Sequence, residues 1–185
     1  MRIIGGNLRG LKLAEVSAGD PSAHLRPTTD RVRETMFNLL INSLGIRLEG
    51  MRVLDLFAGT GALGLEALSR GAARVSFVDD GAAARALLRT NIEKARAMGS
   101  TDLWRRDATK LGVNRGPGYD LVFMDPPYGK ALGEAAIQSA LEGGWLTDGA
   151  LVIWEDSTPP TLPQGFELLD QRRYGDTLVT ILQRG

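Results

Sequence analysis

The chain has 185 residues, 22 basic and 22 acidic side chains, a formal net charge of +0 and no cysteine. Its length suits one domain with a real core, and 43% hydrophobic with 24% charged residues excludes disordered, collagen-like and coiled-coil chains. Without cysteine there are no disulfides, thiol nucleophiles, iron–sulfur clusters or Cys-based zinc sites, and His24 as the only histidine removes histidine-cluster metal sites and most serine-hydrolase triads.

Residues 2–13 alternate loosely around Gly5-Gly6 and Gly10, which predicts two short strands joined by a glycine turn. Residues 14–27 are polar, broken by Gly19-Asp20-Pro21 and Pro27, and read as a loop carrying His24 as a structural or incidental residue. A helix follows from about Thr28 to Leu44, capped by Thr28 or Thr29 and closed by Gly45. Its apolar stripe is Val32, Met36, Leu39, Leu40 and Ser43, with Arg31, Glu34, Asn38 and Asn42 toward water.

From residue 51 the period switches to strand–helix alternation. Met51–Phe57 reads as a continuous, mainly apolar strand, too apolar to have a wet face, as central parallel strands are. The further strands are Arg74–Asp79, Leu103–Asp107, Tyr119–Met124 and Ala150–Glu155; the helices are Ala62–Arg70, Ala82–Met98 and Leu132–Leu141. Phe166–Tyr174 and Thr177–Gln183 are joined so tightly at Gly175-Asp176 that they must be antiparallel. The fold class is therefore α/β: a doubly wound, mostly parallel seven-stranded sheet with an antiparallel C-terminal hairpin, plus a small N-terminal β-hairpin and helix extension. The whole chain, 1–185, reads as one domain, with 1–48 as the extension and 49–185 as the Rossmann-like core. Ligands are expected beyond the strand C-termini.

Two segments carry the chemistry. The first, Asp55-Leu56-Phe57-Ala58-Gly59-Thr60-Gly61-Ala62-Leu63-Gly64, follows the first core strand, and its glycines let backbone approach a ligand at a helix N-terminus. Asp79 ends the next strand, where a carboxylate can take both ribose hydroxyls. At this point nicotinamide and S-adenosylmethionine readings compete, with a purely structural tight turn as the bland one. The second segment is Asp125-Pro126-Pro127-Tyr128. Its prolines remove two N–H donors, leaving the Asp125 carboxylate and the Pro126 carbonyl as adjacent acceptors beside the Tyr128 ring. That arrangement suits a planar base bearing an exocyclic amine and has no use in a nicotinamide enzyme, so it favours S-adenosylmethionine.

The basic residues are mostly arginine: only Lys12, Lys94, Lys110 and Lys130 are lysines, a bias that a GC-rich genome also produces. Residues 1–33 carry Arg2, Arg9, Lys12, Arg26, Arg31 and Arg33 against Glu15, Asp20 and Asp30, an excess of three on a neutral chain. A basic N-terminal face fits a polyanionic partner.

Together, the fold order, D-L-F-A-G-T-G and D-P-P-Y resemble the Rossmann-fold, S-adenosylmethionine-dependent amino-methyltransferases. Arg2-Ile3-Ile4-Gly5-Gly6, the run from Arg26 to Glu34, Gly64-Leu65-Glu66-Ala67-Leu68-Ser69-Arg70-Gly71-Ala72 and Tyr174-Gly175-Asp176-Thr177 narrow this to the bacterial 16S ribosomal RNA guanine-N2 methyltransferase family RsmD, along essentially the whole chain. The resemblance implies methylation of one guanine of 16S rRNA, position 966 in the family, on the small ribosomal subunit or its assembly intermediate. Where this family usually has Glu after the second strand, this chain has Asp79, one methylene shorter.

The expected catalytic set is Asp125, Pro126 and Tyr128. Cofactor binding is expected at Asp55 (on the ammonium), Phe57, Gly59, Thr60, Gly61, Asp79 (on the ribose), Asp107 (on the adenine amine, or simply capping the next turn) and Ala108. RNA contacts are expected from Arg2, Arg9, Lys12, Arg26, Arg31 and Arg33; the last three could equally reach the cofactor carboxylate or pair with Glu34 and Asp30. No metal is required. An adenine-N6 methyltransferase and a non-catalytic nucleotide-binding module compete with this reading; a DNA enzyme would need a recognition domain for which there is no room. No run reaches the ~18 apolar residues of a membrane helix, and no long apolar leader opens the chain, so a cytoplasmic monomer is expected.

Overall fold

The computed structural model describes residues 1–15 and 29–185. Short apolar runs form the parallel strands β1 (Arg52–Leu56), β2 (Arg74–Val78), β3 (Thr101–Trp104) and β4 (Tyr119–Met124). A longer strand, β5 (Leu146–Asp156), lies parallel to β4, and the hairpin β6 (Phe166–Tyr174) and β7 (Thr177–Arg184) adds antiparallel to it. The order across the sheet is β3-β2-β1-β4-β5-β7-β6. Four of five residues in β1 and in β2 are fully buried, as two covered faces demand.

Helices α1 (Asp30–Asn38), α2 (Ala62–Ser69) and α3 (Ala82–Lys94) cover one face, packing Met36, Phe37, Leu65 and Leu88 with Phe77, Phe123, Ile153 and Val179. Helix α4 (Leu132–Glu142) covers the other, with Ala136, Ile137 and Ala140 against Val122, Met124, Val152 and Trp154. From β1 the chain winds outward through β2 to β3, then returns to β4 on the opposite side and winds the other way. The C-terminal ends of the adjacent β1 and β4 are therefore the switch point, where a crevice opens between diverging loops.

Several boundaries move, each for a visible reason. The first helix begins at Asp30, with the Thr29 hydroxyl accepting from the Val32 N–H, and from Leu39 to Ser43 continues as a π-helix turn. That change of pitch turns Ser43 outward, while Phe37 and Arg33 are buried instead. Helix α3 stops at Lys94, short of Met98, because Arg96 takes a positive φ of 53°. The third strand starts two residues early and ends at Trp104 rather than Asp107.

At the N-terminus the expected hairpin is a single antiparallel bridge, Arg2 opposite Lys12, flanked by bonds such as Ile3 N–H to the Leu11 carbonyl. The strand partners are diverted. Ile4 and Gly5 N–H groups both donate to the Glu66 carboxylate on α2, Asn7 N–H to the Ser69 carbonyl and Leu8 N–H to the Ser69 hydroxyl. The extension is thus laced to α2, and Ile3 and Leu13 share the core.

Candidate active site

The β1–α2 turn is built from strained and open backbone. Phe57 adopts φ 56° and Gly59 φ 58°, and Gly61 at φ 81° precedes α2. Left-handed Phe57 is unfavourable for an aromatic residue and survives because its neighbours impose it. A Cβ at Gly61 would stand 2.2 Å from Leu88 Cδ1, so only glycine fits between turn and α3. At Gly59 a Cβ would meet nothing nearer than the Phe57 oxygen at 4.0 Å, so one side of the turn is open to a ligand.

Carboxylates ring this turn. Asp55, on β1 and 2% exposed, accepts from the Gly64 N–H at 3.0 Å and caps α2, which has no cap of its own. Asp79, just past β2, accepts from the Gly59 and Gly81 N–H groups, each at 2.9 Å, and pins the glycine turn to the second strand. The Thr60 carbonyl is held by the Asn91 side-chain amide of α3 at 2.8 Å, and the same amide holds Ala14 of the extension. Asp107 caps a short turn through the Thr109 N–H and hydroxyl at 2.8 and 2.7 Å, bonds that lower its carboxyl pKa; Ala108 beside it is buried. Phe57 is half-buried against the α4-side core.

Across the switch point, β4 ends at Met124 and delivers Asp125, Pro126 and Tyr128 beside that turn. Met124 pairs with Leu56 on one side and with Trp154 on the other, so Asp125 emerges between Phe57 and Glu155. By strand alternation Asp125, Glu155 and Asp55 all project from the face covered by α2. Glu155 is 3% exposed. Burial pushes the Asp125 carboxyl well above the ordinary carboxylate range, and the negative charges of Glu155 and Asp55, a hydrogen bond with Glu155 and the charge of Asp156 push it the same way. Asp55 is raised as well, by burial first, against the lowering bond from Gly64. The Tyr128 hydroxyl lies 3.3 Å from the Thr177 hydroxyl, which ties its ring to the β6–β7 hairpin.

The basic residues divide. Arg2, Arg9, Lys12 and Arg31 are exposed, and the bridge sets Arg2 and Lys12 directly opposite each other. Arg26 and His24 lie outside the described residues. Arg33 is corrected: its side chain is 0% exposed, so it offers no surface to RNA. It pairs with Glu66 at 3.2 Å and with Asp30 at 2.9 Å, and it also donates to the Arg2 carbonyl. Sequence reasoning missed Glu66, Asn91 and Glu155. The signal for the first and last was there: a charged residue within an otherwise apolar helix or at the end of an apolar strand.

The donor set suits a cationic ligand. Asp55, Asp79, Asp125 and Glu155 concentrate negative charge at one sheet edge, where a dinucleotide pyrophosphate would be repelled and an ammonium and a sulfonium attracted. An open glycine turn, a carboxylate after β2 for a diol and Asp107 after β3 for an exocyclic amine fit S-adenosylmethionine.

Fold and site together define a Rossmann-like methyltransferase. The chain matches, over residues 1–183, the family model described as Conserved hypothetical protein 95, and it belongs to that family, the RsmD family. It is 37% identical over 187 residues to Ribosomal RNA small subunit methyltransferase D of Escherichia coli (100% of this chain, 90% of that one). It is 38% identical over 184 residues to the protein of the same name from Haemophilus influenzae (95% and 89%). The solved structure of the Escherichia coli protein yhhF superposes with a TM-score of 0.82 at 34% identity, covering 100% of this chain and 97% of the other. No helix among the described residues is long and apolar enough to cross a membrane.

Proposed function

We propose that this protein transfers a methyl group from S-adenosylmethionine to the exocyclic N2 of a guanine in 16S rRNA, on the small ribosomal subunit or its assembly intermediate. The observation that carries the reading is the placement of Asp125-Pro126-Pro127-Tyr128 at the end of β4, directly across the switch point from the glycine turn after β1. Membership of the family, and relatives named as small-subunit rRNA methyltransferases, support the substrate.

When bound, S-adenosylmethionine supplies an electrophilic methyl and a neutral thioether leaving group. Asp55 and the Gly59–Gly61 turn receive its amino-acid end, Asp79 its ribose, and Asp107 with the Ala108 N–H its adenine. The guanine amine is a poor nucleophile because its lone pair is delocalised into the ring. Asp125 Oδ and the Pro126 carbonyl accept its two N–H bonds, which returns electron density to nitrogen and aims it. Tyr128 offers a stacking face for the extruded base. Positioning supplies most of the acceleration. The basic pair Arg2 and Lys12, with Arg9 and Arg31, receives RNA phosphates.

The test is incubation of this protein with isotopically labelled cofactor and small subunits from a strain lacking the gene, followed by nucleoside mass analysis. Labelled N2-methylguanosine is expected. Labelled N6-methyladenosine would move the chemistry to adenine, and no label in either nucleoside would refute catalysis on these amines.

A further inference from the structure

Every cation assigned to RNA so far lies in the first 33 residues, yet a second excess of positive charge stands elsewhere. Between β3 and β4, residues 105–115 carry Arg105, Arg106, Lys110 and Arg115 against Asp107 alone, again an excess of three. All four cations are exposed, and none makes an ion pair among the described residues. The acids around them are engaged elsewhere. Asp107 holds the Thr109 N–H and hydroxyl, Asp102 holds Arg74 and Ser76, and Glu142, which lines a groove with Lys110, accepts from the Gln138 amide. Arg106 is already ordered: its guanidinium carbon lies 4.8 Å from the Trp104 ring centroid and 5.7 Å from that of Trp145, and one N–H donates to the Leu111 carbonyl at 2.8 Å. The other donors of that fixed fork remain for a ligand, so little side-chain freedom is lost when a phosphate meets it.

The position of this segment gives the charge a use. It leaves β3 at the C-terminal edge of the sheet, and its Ala108 and Leu111 pack into the core on the α4 face. The N-terminal extension packs Ile3 and Leu13 into the core on the other face. Cations therefore stand on both sides of a crevice that is itself lined by Asp55, Asp79, Asp125 and Glu155. Those carboxylates repel a phosphate chain, so a strand that delivers a base to them must be held from outside. Neighbouring strands lie about 4.8 Å apart, so the end of β3, three strands from β4, is roughly 14 Å from that of β4, a reach of a few nucleotides. Resting on the function proposed above, we infer that Arg105, Arg106, Lys110 and Arg115 form a second RNA-phosphate surface, which holds the strand on the flank opposite the extension while the target guanine enters the crevice between the two. Phosphate contacts fix register and orientation without reading sequence; the base is chosen in the crevice, and the strand is held beside it.

Two measurements test this. The triple variant Arg105→Gln, Lys110→Gln, Arg115→Gln leaves the Arg106 stack in place, and because all three side chains are exposed its unfolding midpoint and cofactor affinity should be parental. Its binding to protein-free 16S rRNA and to small subunits, followed across salt concentration, should weaken roughly tenfold or more at low salt, with a slope shallower by about 0.7–0.9 log unit per lost phosphate contact. A parental slope would overturn the inference. So would a loss seen only on assembled subunits with a parental slope on free RNA, which would put a ribosomal protein on this face. The second measurement uses the absence of cysteine: Lys110→Cys carries the chain's single thiol. A photo-crosslinker on that thiol should attach to rRNA, and attachment to protein alone would refute the assignment. If the unmodified protein neither binds rRNA nor labels guanine, the proposed function itself fails; an active unmodified protein beside a triple variant of parental slope removes this surface alone.

Discussion

At the scale of single residues, Tyr128 separates stacking from hydroxyl chemistry. Two prolines stiffen the backbone before it, and its hydroxyl is tied to Thr177 at 3.3 Å across the β6–β7 hairpin. An aromatic face is worth about 1–3 kcal/mol per stacked base by alanine substitution and does not need the hydroxyl. Tyr128→Phe should therefore keep most activity while losing the tether to Thr177. Tyr128→Ala should lose roughly 10–100-fold at subsaturating RNA, since each 1.4 kcal/mol is tenfold. Single-turnover rates for the two variants check this; a large loss in Tyr128→Phe would mean that the phenol itself donates to the substrate. The motifs were legible at this scale because glycine and proline announce backbone geometry directly. Glu155 and Arg33 were not, because their surroundings are distant in sequence: Asp125 lies 30 residues from Glu155 across a strand register, and Glu66, which pairs with Arg33, lies 33 residues away on another helix.

Among the elements, legibility followed how locally each boundary is determined. β4, β6 and the start of β7 stand where apolar runs and the Gly175-Asp176 turn put them. The N-terminal hairpin is reduced to one bridge and its flanking bonds, because the further backbone donors, at Ile4, Gly5, Asn7 and Leu8, go to acceptors on α2. Glu66 is the hub of that attachment: completely buried, it accepts from Ile4 and Gly5 N–H, from Arg33 and from Arg70, all between 2.9 and 3.2 Å. Breaking a buried pair by removing one partner costs about 3–5 kcal/mol. Glu66→Gln should accordingly lower the free energy of unfolding by an amount in that range and release the extension, seen as faster amide exchange at Ile4 and Gly5. Unchanged exchange there would show that apolar packing of Ile3 and Leu13 suffices. The extension so clamped presents Arg2 opposite Lys12, a like-charge pairing unfavourable in itself. Replacing Arg2, Arg9 and Lys12 with Gln should flatten the salt dependence of RNA binding by roughly 0.7–0.9 log unit per lost phosphate contact. Cofactor affinity should hold; a parental salt slope would make this face merely solvated.

Over the whole molecule, a net charge of +0 conceals a separation: cations on the extension, and Asp55, Asp79, Asp125 and Glu155 at the C-terminal edge of the sheet. That acidic edge has a stability consequence whose sign can be worked out from Asp55. Burial raises its folded-state pKa above the unfolded value, so the folded protein holds the proton to higher pH than the unfolded chain does. Stability from this group is greatest below the unfolded pKa and falls as pH rises from the ordinary carboxylate range to the raised folded value. Above that, the ionised buried carboxylate is a standing penalty. Asp55→Asn keeps an oxygen to accept the Gly64 N–H but removes the charge. It should stabilise the cofactor-free protein by about 0.5–2 kcal/mol at mildly alkaline pH, the gain shrinking as pH falls and Asp55 is protonated in the unmodified protein. Cofactor affinity should move the opposite way, by about 1.5–3 kcal/mol, because the ammonium loses a charged partner. Urea unfolding across the pH range, with calorimetric binding at its alkaline end, measures both. An Asn variant less stable than the parent at alkaline pH would show that the carboxylate's bond to α2 outweighs its burial, and the acidic edge would then be part of the scaffold rather than a cost carried for the ligand.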